Sequence, residues 1–224
     1  RSVASSKPFD FVLDGLSPNT RYFYQFMYQT AEQTRRSEEF TFHTKRSRGS
    51  SFVFTVQADS HLDENTSGDV YLRTLGNALA DQPDFHFALG DTFMTGKYVK
   101  PDLSEPQYLA QRYYLGQLCH SAALYFALGN HDGEAGNRGS NVWATMTRKR
   151  FIPNPFPNEF FTGNEHHEPE IGLPENYYQF EWGAPLGATG PLFPGMCYAG
   201  EAGANNDVYN GPVNYEDNDG DGLV

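Results

Sequence analysis

The sequence has little cysteine, few cationic residues and no long apolar run. Its two cysteines, Cys119 and Cys197, are too few for a disulfide-rich scaffold, and neither has a partner at zinc-finger spacing. Whether the two are bridged or free stays open. No apolar run approaches the roughly 18 to 20 residues of a membrane span. These absences exclude a small disulfide-stapled protein and a helical membrane protein.

The shortage of positive charge limits the kinds of molecule that the chain can bind. With 16 lysines and arginines against 28 acidic residues, the net charge is −12 and the pI about 4.9. No basic surface is evident for holding nucleic acid nonspecifically. The chain is nevertheless 38% hydrophobic and 15% aromatic over 224 residues, which is enough for one good-sized α/β core and part of a second domain.

Three apolar runs each stop at a polar cluster. Residues 52–58 lead into Asp59-Ser-His61, residues 87–89 into Gly-Asp91, and residues 122–128 into Gly-Asn-His-Asp132. The clusters are about 30 to 40 residues apart, a spacing that favours parallel strands joined by helical crossovers. Because ligands collect at the carboxyl ends of such strands, these side chains are expected to meet at one edge of a sheet.

The types of side chain at this edge predict a metal site. Carboxylate and amide oxygens together with imidazole nitrogens suit manganese, iron, zinc or cobalt better than copper. A central carboxylate, Asp91, could bridge two ions. In a protein of this net charge, such ions would be needed to attract a negatively charged substrate.

The three blocks, in this order, resemble the first three signature blocks of the calcineurin-like metallophosphoesterases, over roughly residues 50 to 183. The resemblance implies a layered α/β core with the metal ligands at the carboxyl ends of its strands. It also implies two divalent or trivalent ions such as iron, manganese or zinc. The implied metal ligands are Asp59 and His61 for the first ion, Asp91 as the bridge and Asn130 for the second ion.

The same resemblance implies the chemistry of the site. His131 would lie beside the scissile phosphate ester and protonate or stabilise the leaving group, and Asp132 would orient it. Two further histidines, His166 and His167, are adjacent in a predicted loop and are left out of the site.

Residues 1–44 form a second predicted unit. The runs 9–13, 22–28 and 39–44 are strand-like, and the Leu-x-Gly-Leu-x-Pro-x-Thr-x-Tyr-x-Tyr pattern of residues 13–24 resembles the last strands of a fibronectin type III-like β-sandwich. About half of such a domain is present, so the natural protein is expected to begin earlier. Residues 45–51 read as a basic, solvated linker. This domain pairing resembles purple acid phosphatases and phosphatase/phosphodiesterases of the PhoD type, which implies a secreted, periplasmic or cell-surface location.

The core, residues 52–183, has a predicted helix within 66–81 and another over 106–119. Residues 133–140 are expected to form a polar loop in which Arg138 is solvated, and 151–170 a loop or lid with little regular structure. A further strand is predicted within 176–183.

Residues 184–224 form a Gly-, Asn- and Asp-rich tail without histidine, so the family's two later histidine blocks do not occur. Asp217, Asp219 and Asp221 followed by glycine resemble half of a calcium-binding loop. An acidic disordered end is the equally weighted alternative.

The sequence therefore predicts metal-dependent hydrolysis of a phosphate mono- or diester, with a centre that is incomplete in the residues given. The alternative is an exported, non-catalytic binding or assembly module that keeps the phosphoesterase scaffold. The substrate, the metals and the oligomeric state stay open.

Overall fold

The computed structural model describes residues 7–134 and 141–183 and the backbone of one further strand, Cys197–Tyr198. The chain folds as a mixed α/β protein. Its strands are β1 (Arg21–Tyr24), β2 (Met27–Gln29), β3 (Thr34–Arg36), β4 (Phe40–His43), β5 (Phe54–Gln57), β6 (Phe85–Ala88), β7 (Ala123–Phe126), β8 (Thr162–Gly163), β9 (Tyr177–Gln179) and β10 (Cys197–Tyr198). Its helices are α1 (Gly68–Ala80), α2 (Glu105–Cys119) and α3 (Asn141–Phe151), with short 3-10 turns at Thr95–Lys97, Pro101–Ser104 and Asn130–Asp132.

A parallel sheet in the order β5-β6-β7 positions the rest of the core. Phe54 lies opposite Phe85, and Phe85 lies opposite Ala123, so the three strands run in register. Helix α1 connects the first two strands and α2 the last two, as the sequence predicts. Because the strands are parallel and in register, their carboxyl ends reach the same edge.

Alternate residues of the central strands join two different hydrophobic clusters, as expected when both faces of a sheet are covered. Ala88 and Phe126 pack with helix residues such as Leu75 of α1 and Leu118 of α2. On the other side, a second cluster consists of aromatic and small residues, Phe85, Tyr125, Ala127, Tyr178, Phe180 and Trp182. The predicted strand within 176–183 is β9, which supplies Tyr178 to this second cluster.

Helix α3 is not predicted by the sequence, because its buried face is not apolar. Thr145, Thr147 and Arg148 are buried beside Ala144 and Phe151. A periodic apolar stripe, which is the main sequence signal for a helix, is therefore missing. By contrast, α1 begins at a recognisable N-cap, where the Ser67 hydroxyl accepts a hydrogen bond from the Val70 N–H.

The first segment is β-structure, but its strands are shorter than the sequence predicts. Residues 22–28 are divided between β1, which pairs with β4, and β2, which pairs with β3. The prediction of a strand over 9–13 is wrong, since these described residues have no regular secondary structure. Phe11, Val12 and Leu13 are largely exposed there, so no burial compensates the cost of ordering a strand.

Within the linker after residue 44, Arg46 is bound to the core, whereas Lys45, Ser47 and Arg48 are exposed. The Arg46 guanidinium donates from Nη2 to Asp84 Oδ1 at 2.8 Å and from Nε to both carboxylate oxygens. The Asp84 Oδ2 also accepts from the Val53 N–H. Asp84 precedes β6 and is 4% exposed, so this bidentate pair joins the linker to the sheet. The first segment is also joined to the core by Tyr24 of β1, whose hydroxyl donates to the His120 carbonyl at 2.6 Å.

A buried histidine on β6 makes the stability of the fold depend on pH. His86 is 1% exposed, its Nδ1 lies 2.8 Å from the Thr55 hydroxyl, and burial lowers its pKa from 6.5 to about 4. The folded chain therefore holds the neutral ring, while the unfolded chain takes up a proton below about pH 6.5. His86 should destabilise the fold by about 2 kcal/mol between pH 7 and pH 5, measured as the free energy of unfolding in urea.

The matched variant for this test is His86→Asn, whose side-chain oxygen can accept the Thr55 hydroxyl in place of Nδ1 but does not titrate. Subtracting the pH dependence of its free energy of unfolding from that of the wild type gives the contribution of the His86 imidazole. Identical slopes for the two proteins between pH 7 and pH 5 would contradict the assignment.

Candidate metal centre

The loops that follow β5, β6 and β7 are hydrogen-bonded to one another at the carboxyl edge of the sheet. The Asp59 N–H donates to the Gly90 carbonyl at 3.2 Å, and the His61 N–H donates to the Asp91 carbonyl at 3.0 Å. The His131 N–H donates to Asp91 Oδ1 at 3.0 Å. Asp91 is thus the central residue of the three loops.

Three predicted ligands come together here. Within the described ranges, Asp59, His61 and Asp91 form a group whose donor atoms all lie within 4.8 Å of one another. His61 Nε2 is 3.7 Å from Asp59 Oδ1 and 3.8 Å from Asp91 Oδ2. Donors bound about 2.0 to 2.2 Å from a shared ion can be up to about 4.2 Å apart, so the two distances from Nε2 fit one transition-metal ion.

The group is open on one side. The Asp59 side chain is 68% exposed, whereas the Asp91 side chain is 12% exposed. Asp59 is therefore accessible to solvent, while Asp91 lies on the buried side of the group. Two carboxylates with one imidazole form a donor set that suits manganese, zinc or iron.

The three candidate ligands are held in an uncommon backbone conformation. Their φ angles are 55° for Asp59, 42° for His61 and 50° for Asp91, in the left-handed region that costs non-glycine residues energy. Two glutamines of α2 hold these loops. The Gln107 amide donates to the His61 carbonyl, and the Gln111 amide donates to the Ser60 hydroxyl at 3.0 Å.

Gln111 also contacts the loop after β6, because its amide nitrogen donates to the Thr92 carbonyl at 2.8 Å. Its carbonyl oxygen accepts from the Tyr71 hydroxyl of α1 at 2.9 Å. Gln107 and Gln111 are both buried, so these bonds form away from solvent. Helix α2 therefore fixes the loops that carry Asp59, His61 and Asp91.

Asp132 connects the second and third loops through its carboxylate. Oδ1 accepts from the Thr92 and Phe93 N–H groups, each at 2.8 Å, and Oδ2 accepts from the Asp91 N–H at 3.1 Å and the Gly129 N–H at 2.7 Å. Burial raises the pKa of Asp132 to about 7, against the opposing effect of these N–H groups. The predicted role of Asp132 in orienting the His131 ring stays a prediction, and the contacts described are with the backbone.

Two glycines allow the second and third loops to approach closely. A Cβ at Gly129 would overlap Asp91 Oδ1 and lie 2.8 Å from Asp91 Cγ. A Cβ at Gly90, where φ is +90°, would overlap the Gly129 backbone nitrogen. The glycines before the second and third polar clusters are therefore required by contact between the two loops, in addition to turn geometry.

The remaining predicted site residues lie around this group. His131 is buried, and its ring centroid is 5.9 Å from that of His61. The Asn130 amide nitrogen lies 3.4 Å from His131 Nε2. His166 is exposed, and its Nε2 lies 3.4 Å from Glu168 Oε1.

Several predicted features fall outside the described residues. Arg138 lies in the segment 135–140, and the candidate calcium ligands Asp217, Asp219 and Asp221 lie in the segment 199–224. The thiol of Cys119 is free among the described side chains, and the side chain of Cys197 is outside them.

Sequence reasoning missed the residues that support the ligands. Gln107 and Gln111 are four residues apart on α2, which is the spacing of one helix face, but polar residues on a crossover helix give no functional signal by themselves. Asp63 was also missed. It continues the alternate-residue pattern of Asp59 and His61, and its Oδ2 lies 3.6 Å from His61 Nδ1.

The fold is similar to that of a solved purple acid phosphatase, PPD1, isolated from yellow lupin (Lupinus luteus) seeds, with a TM-score of 0.50 and 18% sequence identity. The similarity covers 76% of this chain and 30% of the lupin chain. No family model and no curated protein matches the sequence. At this identity the likeness concerns the fold, and this chain spans less than a third of the lupin protein's length.

Proposed function

We propose that this chain carries a metal centre that hydrolyses phosphate esters, as the calcineurin-like metallophosphoesterases do. The observation that carries the proposal is the convergence of Asp59, His61 and Asp91 at the carboxyl edge of a parallel sheet. The fold similarity to a phosphatase supports the same conclusion.

The layered core and the partial fibronectin-like sandwich of residues 1–44 belong to this proposal. The sandwich is supported by the Tyr22 hydroxyl, which accepts a hydrogen bond from the Ser17 N–H as in a tyrosine corner.

In this proposal, Asp59, His61 and Asp91 hold the first ion, and Asp91 shares a second ion with Asn130. The ions supply the positive charge that polarises a phosphoryl oxygen and makes water a better nucleophile. The three-residue group is complete without Asn130, while a second ion depends on a neutral amide and a shared carboxylate, which are weak anchors. We therefore expect one tight ion and a second that binds weakly.

His131 is proposed as the proton donor to the leaving group. Its backbone N–H is fixed on Asp91 Oδ1, and its position after Gly129 is set by the bonds of Asp132, so the ring is placed by the same contacts that place the bridging ligand. A positioned general acid contributes about 100- to 10,000-fold to the rate. These contacts hold the backbone that carries the imidazole close to the Asp91 carboxylate.

The experiment that tests the function measures release of nitrophenol from para-nitrophenyl phosphate and from its bis ester, with and without added Mn²⁺. Because the second ion is weakly anchored, we expect slow hydrolysis that depends on Mn²⁺ and falls by about 100-fold or more in His131→Gln. The matched control is His166→Gln, which changes an exposed histidine whose partner is Glu168 and should keep full activity.

Failure to hydrolyse either ester in the presence of bound Mn²⁺ would contradict the catalytic proposal. That result would favour the alternative, a binding module built on the same scaffold. Equal loss of activity in both histidine variants would contradict the role of His131.

A further inference from the structure

The two ring nitrogens of His61 face different carboxylates. Nε2 is directed at the candidate metal position, 3.7 Å from Asp59 Oδ1 and 3.8 Å from Asp91 Oδ2. Nδ1 is 3.6 Å from Asp63 Oδ2 on the other side of the ring. Since a neutral imidazole carries one proton, only one nitrogen can donate its lone pair to an ion. Which nitrogen does so depends on what the other one contacts.

The Asp63 side chain is held in place by its own loop. Its Oδ1 accepts a hydrogen bond from the Asn65 N–H at 2.9 Å, and its backbone carbonyl accepts from the Thr66 N–H at 3.0 Å. These bonds leave Oδ2 directed at His61 Nδ1. The side chain is 18% exposed, which limits the screening of this contact by water.

Asp63 is not placed to be another ligand of the same ion. The two nitrogens of an imidazole point away from each other, so a group at Nδ1 cannot also reach an ion bound to Nε2. Lys97 interacts electrostatically with Asp63, but it is exposed and leaves the contact with His61 intact. The carboxylate is therefore positioned to accept a proton from Nδ1 rather than to bind the same ion.

We propose that Asp63 is a positioning residue that keeps the proton of His61 on Nδ1 and so leaves Nε2 free to bind metal. The inference rests on the proposed function, because it assigns a supporting role at the same centre. Metal-binding histidines commonly donate their second N–H to a carboxylate, which fixes the ring and its tautomer. Here the acceptor lies two residues after the ligand and is itself fixed by a turn.

The variant Asp63→Asn gives a specific expectation. If the Asn65 N–H keeps its oxygen acceptor, the new amide nitrogen takes the place of Oδ2 and faces Nδ1. An amide donor there stabilises the tautomer with the proton on Nε2, which blocks the metal-binding nitrogen. Asp63→Ala instead removes the partner and should leave a mixture of tautomers. The matched control is Glu64→Gln, which removes the same charge from the adjacent exposed residue.

Two measurements are made on each protein. Nitrogen-15 NMR of metal-free, labelled protein at pH 8 reports the tautomer of His61, and calorimetric titration with Mn²⁺ reports affinity. We expect the Nδ1–H tautomer to have a larger share in the wild type and in Glu64→Gln than in Asp63→Asn, because in the metal-free protein the Asp59 and Asp91 carboxylates favour a proton on Nε2 and Asp63 opposes them. Mn²⁺ affinity should fall about 10- to 100-fold in Asp63→Asn and stay within about twofold of the wild type in Glu64→Gln.

The same share of the two tautomers and the same Mn²⁺ affinity in Asp63→Asn as in the wild type would overturn the inference. A wild type that binds no Mn²⁺ while showing the Nδ1–H tautomer, which is lost in Asp63→Asn, would instead contradict the proposed function and leave the role of Asp63 standing.

Discussion

Replacing Arg148 with methionine is expected to lower the free energy of unfolding by about 3 to 5 kcal/mol. The Arg148 side chain is fully buried in α3, and its Nε donates to Glu134 Oε1 at 2.6 Å. Its Nη2 donates to Glu134 Oε2 at 3.3 Å and to the Pro174 carbonyl at 2.5 Å. Without the guanidinium, the Glu134 carboxylate is left buried and uncompensated, which is the costly way to break an ion pair.

The pair also connects the metal centre to the rest of the core. Glu134 lies two residues after Asp132, and Glu175, 3.9 Å from Arg148 Nη1, belongs to the loop before β9. Although burial alone would lower it, the two glutamates raise the pKa of Arg148 above its ordinary value. The guanidinium therefore stays charged and links three segments.

Thermal unfolding measures the stability of Arg148→Met and of a control variant. Arg150→Met is the control, since Arg150 lies on the exposed side of α3 and pairs with Glu105 of α2 at 2.9 Å, with both side chains about half exposed. An exposed pair of this kind contributes at most about 1 kcal/mol. A destabilisation of Arg148→Met no larger than that of Arg150→Met would show that the buried pair does not hold the fold together.

Replacing Gly129 with alanine is expected to weaken Mn²⁺ binding about 10- to 100-fold, although residue 129 contributes no ligand. The φ of Gly129 is −102°, which alanine can adopt, so backbone conformation is not the obstacle. The obstacle is the Asp91 carboxylate and backbone nitrogen, which the new methyl group would overlap. Asp91 must move, and with it the ligand shared between the two proposed ions.

The control for this change is Gly76→Ala, in the middle of α1. A Cβ at residue 76 meets nothing within 4 Å. Alanine there should leave Mn²⁺ binding unchanged and stabilise the helix by about 0.5 to 1 kcal/mol. Mn²⁺ affinity is measured by calorimetric titration of the folded protein. If Gly129→Ala binds Mn²⁺ with the affinity of the wild type, the two loops can separate without moving Asp91.

The elements that depend on short-range patterns could be predicted from the sequence. Helix α1 follows from an apolar stripe, and the strands β5, β6 and β7 follow from apolar runs that stop at glycine or at a polar cluster. Because parallel strands present their carboxyl ends together, the convergence of Asp59, His61 and Asp91 could also be predicted.

What could not be predicted depends on pairs of residues far apart in the chain. Arg148 is buried in α3 because Glu134 compensates its charge, so a cationic residue occupies a core position that a pattern of apolar residues cannot reveal. Gln107 supports the loop of His61 from a helix that begins more than forty residues later. Residues 9–13 alternate like a strand, yet the described structure gives them no strand to pair with.

The most direct test of the account is the position of Mn²⁺ in crystals grown with the ion, located by anomalous scattering at the manganese absorption edge. The account predicts a strong peak bonded to His61 Nε2 and to carboxylate oxygens of Asp59 and Asp91, with a weaker peak or none beside Asn130. A strong manganese peak elsewhere, or none between these three side chains at saturating Mn²⁺, would contradict the proposal that they form the metal centre.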